Sequence, residues 1–188
     1  VNDYVNIPQN SSYNFGTNDF TIEAWVRTSS TDFQIITQKR SGSNSGTWFR
    51  LALSSGRPFL EISTSALIMA DNSIADGNWH HIAAVRYSSF APKIYVDGVE
   101  VSASANGNFA ASISNANAIS IGSNLGSCCF FNGDMDELRF WTEARSAGDI
   151  QGLMNCALWG IPAELLGYFK FDHGYVNQDN SGETTLED

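Results

Sequence analysis

Three carboxylates stand close together in the run Asp134-Met135-Asp136-Glu137, and cleavage of a glycosidic bond requires two suitably placed carboxylates. Successive side chains of a β-strand point to opposite faces, so Asp134 and Asp136 share a face that Glu137 does not. A retaining glycosidase holds its acid and its nucleophile about 5–5.5 Å apart on one face. The spacing in this run does not supply such a pair, and we predict a protein that is not an enzyme.

Two adjacent histidines, His80 and His81, are the next residues whose type could do chemistry. They fall in a run of strand-forming residues, where neighbours project from opposite faces. They cannot chelate a zinc ion as a pair, because a zinc site brings its ligands to one point. We expect one histidine to be buried and hydrogen-bonded and the other to be exposed.

The three cysteines are Cys128, Cys129 and Cys156, and an odd count excludes a complete internal disulfide framework. Three interpretations of the adjacent pair stay open. Cys128 and Cys129 could close a strained vicinal disulfide, whose hard, flat surface could stack on a sugar. They could also remain two free thiols, or one could be buried and the other exposed. Cys156 falls in a predicted helix and is expected to be a buried apolar filler.

Most of the chain consists of short runs rich in Ile, Val, Phe, Tyr and Trp, bounded by Gly, Asn, Asp or Ser, which is typical of antiparallel strands. In the run 20–27 apolar residues occupy alternate positions, which predicts a strand with one face in the core. Asp97-Gly98 separates two such runs and predicts a type I′ hairpin turn, because glycine tolerates a positive φ. Three tryptophans within predicted strands, Trp25, Trp79 and Trp141, are expected to lie mostly in the core.

One segment near the C-terminus has helical instead of strand spacing. Ser146 suits the N-cap position, Asp149 falls near the first turn, and apolar residues follow at intervals of three to four. We therefore predict one substantial helix, near Ser146–Asn155. Many short strands with frequent turns and one late helix favour an antiparallel sandwich.

The chain has 188 residues, enough for one domain with its own core, and carries a formal net charge of −10. A nucleic-acid-binding domain would need a basic surface, so we expect no nucleic-acid partner. An acidic surface favours cations and neutral or cationic partners instead. No apolar run approaches the roughly 20 residues of a membrane helix. The chain begins within a predicted strand, which we interpret as the start of an excised domain.

Seven pieces of the chain, in their order, resemble laminin-G-like and pentraxin-like domains of the concanavalin A-like lectin/glucanase superfamily. They are "DYVNIP", "FTIEAWVRT", "DGNWHHIAAV", "IYVDGVEV", "ISIGS", "FNGDMDELRFW" and "ARSAGDIQGLM". The resemblance implies an all-β fold, an antiparallel two-sheet jelly-roll β-sandwich with one short C-terminal helix. It implies a domain over residues 1–172 and a polar tail or linker over 173–188 that leads to a further domain of the same parent chain.

The same resemblance implies a structural calcium ion. Glucanase-type jelly rolls hold one through an aspartate on the strand that reads "GDMDELRFW" here, and Asp136 matches that aspartate. Asp172 and Asp3 are the expected further ligands, since calcium prefers carboxylate and carbonyl oxygens. The paired calcium ions of pentraxins are not expected, because Ser123 and Asn124 stand where pentraxins carry carboxylates.

For function, the resemblance implies a non-catalytic, lectin-like module of a secreted or cell-surface protein, whose partner is a polysaccharide or glycoconjugate. Two alternatives stay open: a protein-interaction or spacer module of an adhesin without a small ligand, and a degenerate glycan hydrolase or lyase. Loops carry recognition on such a scaffold, and sugars bind where an aromatic ring lies beside polar groups. The expected site, with Trp48 or Phe130 as the stacking ring, comprises Lys39, Arg40, Asn44, Trp48, Asn124, Cys128, Cys129, Phe130 and Phe131.

Overall fold

Two antiparallel sheets pack face to face in the computed structural model, which describes residues 3–41, 46–63, 66–158 and 160–172. The strands are β1 (Val5–Ile7), β2 (Phe20–Arg27), β3 (Gln34–Lys39), β4 (Phe49–Ser54), β5 (Arg57–Ile62), β6 (Ala66–Ala70), β7 (Trp79–Arg86), β8 (Lys93–Val96), β9 (Val99–Glu100), β10 (Ala103–Gly107), β11 (Ile119–Ile121), β12 (Asp134–Trp141) and β13 (Leu165–Phe169). A short 3-10 helix, Ser11–Tyr13, follows β1.

The strand order is β1-β11-β3-β4-β5-β6-β10 in the seven-stranded sheet and β13-β12-β2-β7-β8-β9 in the six-stranded sheet. Strands distant in sequence become neighbours, as where β11 lies between β1 and β3. The predicted all-β jelly-roll sandwich is confirmed. The predicted tail 173–188 lies outside the described residues, and the predicted domain boundary stays a prediction. No helix in the described ranges has both the length and the apolarity to cross a membrane.

Side chains that alternate along each strand fill the space between the sheets. On β2 the apolar set Phe20, Ile22, Ala24 and Val26 is at most 1% exposed, which confirms the face predicted from the sequence. The ring of Phe49, on the facing sheet, has its centroid 6.0 Å from that of Phe20. Burial of each large side chain in this set, such as Phe20 or Ile22, contributes about 1.5–3 kcal/mol, so the core is a stable support for the loops at its rim.

The predicted helix is present as α1, Ala147–Leu153, and lies against the outer face of the six-stranded sheet. Ser146 and Asp149 form a reciprocal capping box at its start, as their spacing predicted. Ile150 is fully buried, where it packs against that sheet. The helix ends two residues earlier than predicted, and Cys156, three residues beyond its end, is exposed. The prediction of a buried Cys156 is therefore wrong.

A network of polar side chains is buried on the same outer face. Arg139 and Glu23 are each 1% exposed, and Nη1 of Arg139 lies 3.5 Å from Oε1 of Glu23. Trp141 donates from Nε1 to the same oxygen at 2.9 Å. His81 is also buried there, and burial, helped by the charge of Arg139, lowers its pKa to about 4. The network thus holds the Glu23 carboxyl and the Arg139 guanidinium side by side and out of water.

The three strand tryptophans differ in exposure. Trp141 is fully buried, as predicted. Trp25 is partly buried and donates from its indole nitrogen to the carbonyl of Met154 at 2.7 Å. Trp79 is 38% exposed, because it opens β7 at the end of the sheet, where the guanidinium of Arg27 lies 5.2 Å from its ring. The core prediction is therefore wrong for Trp79.

The Asp97-Gly98 turn has the predicted type I′ geometry, with φ values of 51° and 75°. The carboxylate of Asp97 bonds to Nδ1 of His80 at 2.8 Å and accepts from the backbone N–H of His81 at 2.9 Å. Nε2 of His80 lies 3.2 Å from Oδ1 of Asp76. His80 is thus partly exposed and His81 buried, which confirms the predicted difference in burial. The predicted hydrogen bonds belong to the other ring: His80 makes them, whereas Nδ1 of the buried His81 has no hydrogen-bond partner among the described residues.

We expect His80 to make stability depend on pH above about 6.5. Burial opposes its protonation, but the hydrogen bonds to Asp97 and Asp76 outweigh burial and raise the pKa of the ring. The charged form is therefore favoured in the folded state. The resulting stability is complete below the unfolded pKa of about 6.5 and is lost as pH rises through the folded pKa. Melting curves of the wild type and His80→Gln should diverge less at alkaline than at mildly acidic pH, and a pH-independent difference would contradict this role.

Candidate ligand-binding site

A cleft of about 620 Å³ opens where the edge of one sheet meets the edge of the other. Its walls come from the start of β1, the end of β11, the start of β12 and the segment after β13. Its floor reaches the core through Met135 and Phe131, which pack against core side chains. We call it the rim cleft, and its lining comprises Asp3, Tyr4, Val5, Asp32, Ile121, Gly122, Phe130, Phe131, Asn132, Gly133, Met135 and Phe171.

Aromatic side chains form one wall of the rim cleft. The pairing of β1 with β11 sets Val5 opposite Ile121, and this brings Tyr4 beside the loop that leaves β11. Tyr4 is 46% exposed, and its ring centroid lies 6.3 Å from that of Phe130. The Tyr4 ring rests directly on Gly126, where a Cβ would come within 2.5 Å of it. A flat aromatic surface therefore faces solvent with its orientation fixed.

The polar side of the rim cleft is braced by hydrogen bonds. The backbone N–H of Asn132 donates to Oε1 of buried Gln34 at 2.7 Å, and the carbonyl of Asn132 accepts from the hydroxyl of Thr28 at 2.6 Å. At Gly133 the chain passes so close to Arg27 that a Cβ would lie 2.0 Å from the Arg27 carbonyl oxygen. The backbone that carries the exposed Asn132 side chain is thus fixed by the scaffold.

A second surface lies beside the rim cleft, on the outer face of the seven-stranded sheet. Neighbouring side chains on β4 point to opposite faces, so Arg50 points outward while Phe49 points into the core. The Arg50 guanidinium lies 5.0 Å from the ring of Phe33 and 5.8 Å from that of Phe59, and it pairs with Glu61. Cations held over aromatic rings are attracted by the ring quadrupole, so this surface is ordered.

Four predicted site residues converge on this outer face. Gln38 donates to Oδ1 of Asn124 at 2.9 Å, and Asn124 reaches Sγ of Cys128 at 3.5 Å. Cys129 packs beside Phe59 and lies close enough to Arg40 for their charges to interact. Phe130 and Phe131, the next residues along the chain, turn into the rim cleft. The loop after β11 therefore contributes to both surfaces.

The geometry does not support Trp48 or Lys39 as ligand contacts. Trp48 is 2% exposed, because the guanidinium of Arg40 covers its ring at 4.4 Å. Lys39 pairs with Phe49 on the inner side of the sheet and is fully buried, where its Nζ donates to Oδ1 of Asn14 at 2.8 Å and to the carbonyl of Asn115 at 2.5 Å. Neither side chain reaches a sugar from these positions. The predicted Asn44 lies outside the described residues.

The predicted metal ligands separate into two groups. Asp136 and Asp172 are near enough to interact: burial first, then the charges of Glu137 and Asp172, raise the pKa of Asp136. Asp3 instead lines the rim cleft. No three metal-ligating side chains converge among residues 3–41, 46–63, 66–158 and 160–172. Any calcium ion at Asp136 would thus need backbone carbonyls and water in addition to carboxylates.

The carboxylates of the run around β12 are engaged in other contacts. Asp134 accepts from Nε of Arg27 at 2.9 Å. Glu137 accepts from Arg139 and from the hydroxyl of Tyr168. A bulge between Asp136 and Arg139, with Glu137 at a φ of 53°, interrupts the alternation that the sequence suggested.

Sequence reasoning missed most residues of the rim cleft, including four with aromatic or polar side chains. Tyr4, Asp32, Asn132 and Phe171 come from four separate segments, and only strand pairing brings them together. An exposed aromatic beside the loop after β11 would have been the signal for Tyr4. That signal requires knowing that β1 lies next to β11, which local patterns do not reveal.

Comparisons with known proteins agree with this architecture. A protein of Bacteroides ovatus provisionally described as carbohydrate-binding has 18% identity and a TM-score of 0.71 over 94% of this chain and 51% of its own, so this chain spans about half of that protein. Domain 4 of the extracellular arabinanase AbnA of Geobacillus stearothermophilus, in complex with arabinotriose, has 22% identity and a TM-score of 0.61, covering 80% and 71%. A pentraxin of Limulus polyphemus has 16% identity and a TM-score of 0.57, covering 79% of each.

At these identities the structural matches show the fold alone. A search of curated proteins gave no match. A laminin G-type family model, however, matches residues 1–151, most of the chain. The protein belongs to the concanavalin A-like lectin/glucanases superfamily.

Proposed function

We propose that this domain binds a neutral glycan in the rim cleft and does not cleave it. The observation that carries the proposal is the combination of aromatic rings and polar groups around one opening. The exposed ring of Tyr4 and the partly exposed ring of Phe130 line it together with Asp3, Asp32 and Asn132. A sugar ring stacks its C–H face on an aromatic ring and directs its hydroxyls to carboxylates and amides. The net charge of −10 disfavours an anionic glycan.

The comparisons support this proposal at the level of ligand class. One of the similar proteins is provisionally described as carbohydrate-binding, and another was solved in complex with arabinotriose. The engagement of Asp134 with Arg27 and of Glu137 with Arg139 supports binding without turnover, because those carboxylates already have partners. We further propose that the domain acts in a secreted or surface protein with additional domains.

Replacing Tyr4 or Phe130 by alanine should weaken glycan binding by about tenfold or more, as truncation of an aromatic hot spot usually does. A glycan array that includes arabinotriose would select the probe, and calorimetry would measure affinity for it. Phe90→Ala is the matched control, since Phe90 is 76% exposed but lies away from the rim cleft, beside Tyr87.

Three outcomes would contradict the glycan proposal. Unchanged affinity in folded Tyr4→Ala and Phe130→Ala would place the site elsewhere. An array without any binder would favour the protein-interaction or spacer module. Release of reducing ends from a bound polysaccharide, abolished by Asp136→Asn in a folded variant, would favour a hydrolase.

A structural calcium ion held by Asp136 and Asp172 is part of the proposal. Asp136 and Asp172 fit a hard cation, because their two carboxylates lie near enough to each other to interact and calcium prefers anionic oxygens. Bound calcium would supply charge neutralisation and would tie the segment after β13 to β12. Asp3, in the rim cleft, is not included.

Calcium should raise the melting temperature of the wild type relative to excess chelator. Binding to the folded state alone stabilises it by about 2.7 kcal/mol at 100 times Kd. Asp136→Asn should abolish the difference. Asp134→Asn, on the same strand but paired with Arg27, is the matched control and should retain it. Equal melting of the wild type in calcium and in chelator would end the calcium proposal and would leave the glycan proposal intact.

A further inference from the structure

Two thiols on the outer face of the seven-stranded sheet take no part in the rim cleft. The sulfur atoms of Cys128 and Cys129 lie 2.8 Å apart. Cys128 is exposed and Cys129 is half-buried against Ile35 and Phe59. Both sulfur atoms can therefore be reached in turn by a small reagent from solvent.

The backbone holds the two cysteines in this arrangement. The carbonyl of Cys128 accepts from the N–H of Asn124 at 2.8 Å, and the carbonyl of Cys129 accepts from the N–H of Ile35 at 3.0 Å. Cys129 has a φ of 58°, a left-handed conformation that is uncommon for a residue with a side chain. The loop thus maintains a costly conformation in which the two thiols are adjacent.

The surroundings give the two thiols different acidities. Hydrogen bonds from the Cys129 thiol and from Asn124 lower the pKa of Cys128. Burial and the neighbouring Cys128 raise the pKa of Cys129 to about 11, against the opposing charges of Arg50 and Arg40. Cys128, the more exposed of the two, is therefore the first to become a thiolate, and the thiolate is the nucleophile in disulfide exchange.

We propose that Cys128 and Cys129 form a redox modification site that small-molecule disulfides, such as glutathione disulfide, convert reversibly into a vicinal disulfide. The Cys128 thiolate attacks one sulfur of the reagent, forms a mixed disulfide and releases one glutathione thiolate. The Cys129 thiol gives its proton to solvent, and its sulfur then attacks the Cys128 sulfur and releases the second glutathione. The protein loses two protons and two electrons, and the reagent takes up the same number to become two thiols.

The modification should be easy to reverse. Neighbouring Cα atoms are about 3.8 Å apart, below the range of about 4.4–6.8 Å that disulfides usually span, so the ring is strained. Strained and exposed disulfides are the labile class. Cys156 does not compete, because it lies on the outer face of the six-stranded sheet, where its carbonyl accepts from Arg139.

The test uses the variant Cys156→Ser, whose only thiols are those of Cys128 and Cys129. After treatment with glutathione disulfide, intact mass should fall by two hydrogens, both thiols should resist alkylation, and a dithiol reductant should restore them. Cys129→Ser in the same background should instead retain one glutathione on Cys128. Retention of glutathione by Cys156→Ser, disulfide-linked dimers, or two thiols that stay reduced would each overturn the proposal. None of these results depends on glycan binding.

Discussion

Replacing Arg139 by methionine is expected to lower the free energy of unfolding by about 3–5 kcal/mol, because it removes the nearest cationic partner of a buried carboxylate. Glu23 is 1% exposed, and burial already raises its pKa against the favourable effects of Arg139 and Trp141. Arg139 also donates to the carbonyls of Leu153 and Cys156, which fasten the end of α1 to the sheet. Urea denaturation of the wild type and Arg139→Met measures the loss.

The double variant Glu23→Gln/Arg139→Met distinguishes charge from packing. If the uncompensated carboxylate causes the loss, removing its charge should recover part of it, and the double variant should be more stable than Arg139→Met alone. Equal stability of the two variants would assign the loss to packing and to the hydrogen bonds at α1 instead.

Replacing Trp48 by alanine should cost about 3–5 kcal/mol of stability, the usual range for truncation of a buried aromatic side chain. Trp48 is 2% exposed, and its ring supports two guanidinium groups, those of Arg40 at 4.4 Å and Arg50 at 5.5 Å. Thermal and urea denaturation should both detect the change. Affinity for a glycan, measured well below the melting temperature, should stay close to that of the wild type.

Trp48→Phe is the matched control. It keeps a ring beneath the guanidinium groups and should lose less stability than Trp48→Ala. A stable Trp48→Ala variant that no longer binds glycan would contradict the structure and would restore the stacking role that the sequence suggested for this residue.

Strand patterns and turn chemistry predicted an antiparallel sandwich, and the family resemblance added the jelly-roll arrangement. The alternating set on β2, the Asp97-Gly98 turn and the Ser146 cap each follow from local rules, and each lies as predicted. Local rules decide these features because backbone conformation and the direction of adjacent side chains depend on near neighbours.

The candidate site was predictable only in part. Phe130 and Phe131 were identified, since the loop after β11 is visible as a break between strands. Tyr4 was missed because its place depends on the pairing of β1 with β11, strands more than a hundred residues apart in the chain. Trp48 was misjudged because it follows a polar loop, and no local signal shows that Arg40 covers its ring.

The buried amine of Lys39 can report local opening of the folded protein. The sequence has three lysines, and Lys93 and Lys170 are partly accessible, whereas Lys39 is enclosed between Asn14 and Asn115. Amine-reactive reagents applied to the native domain should therefore acylate the two accessible lysines and spare Lys39. The rate at which Lys39 is acylated would then measure how often that end of the sandwich opens. Coupling the domain to a sensor surface through its amines would leave Lys39 unmodified.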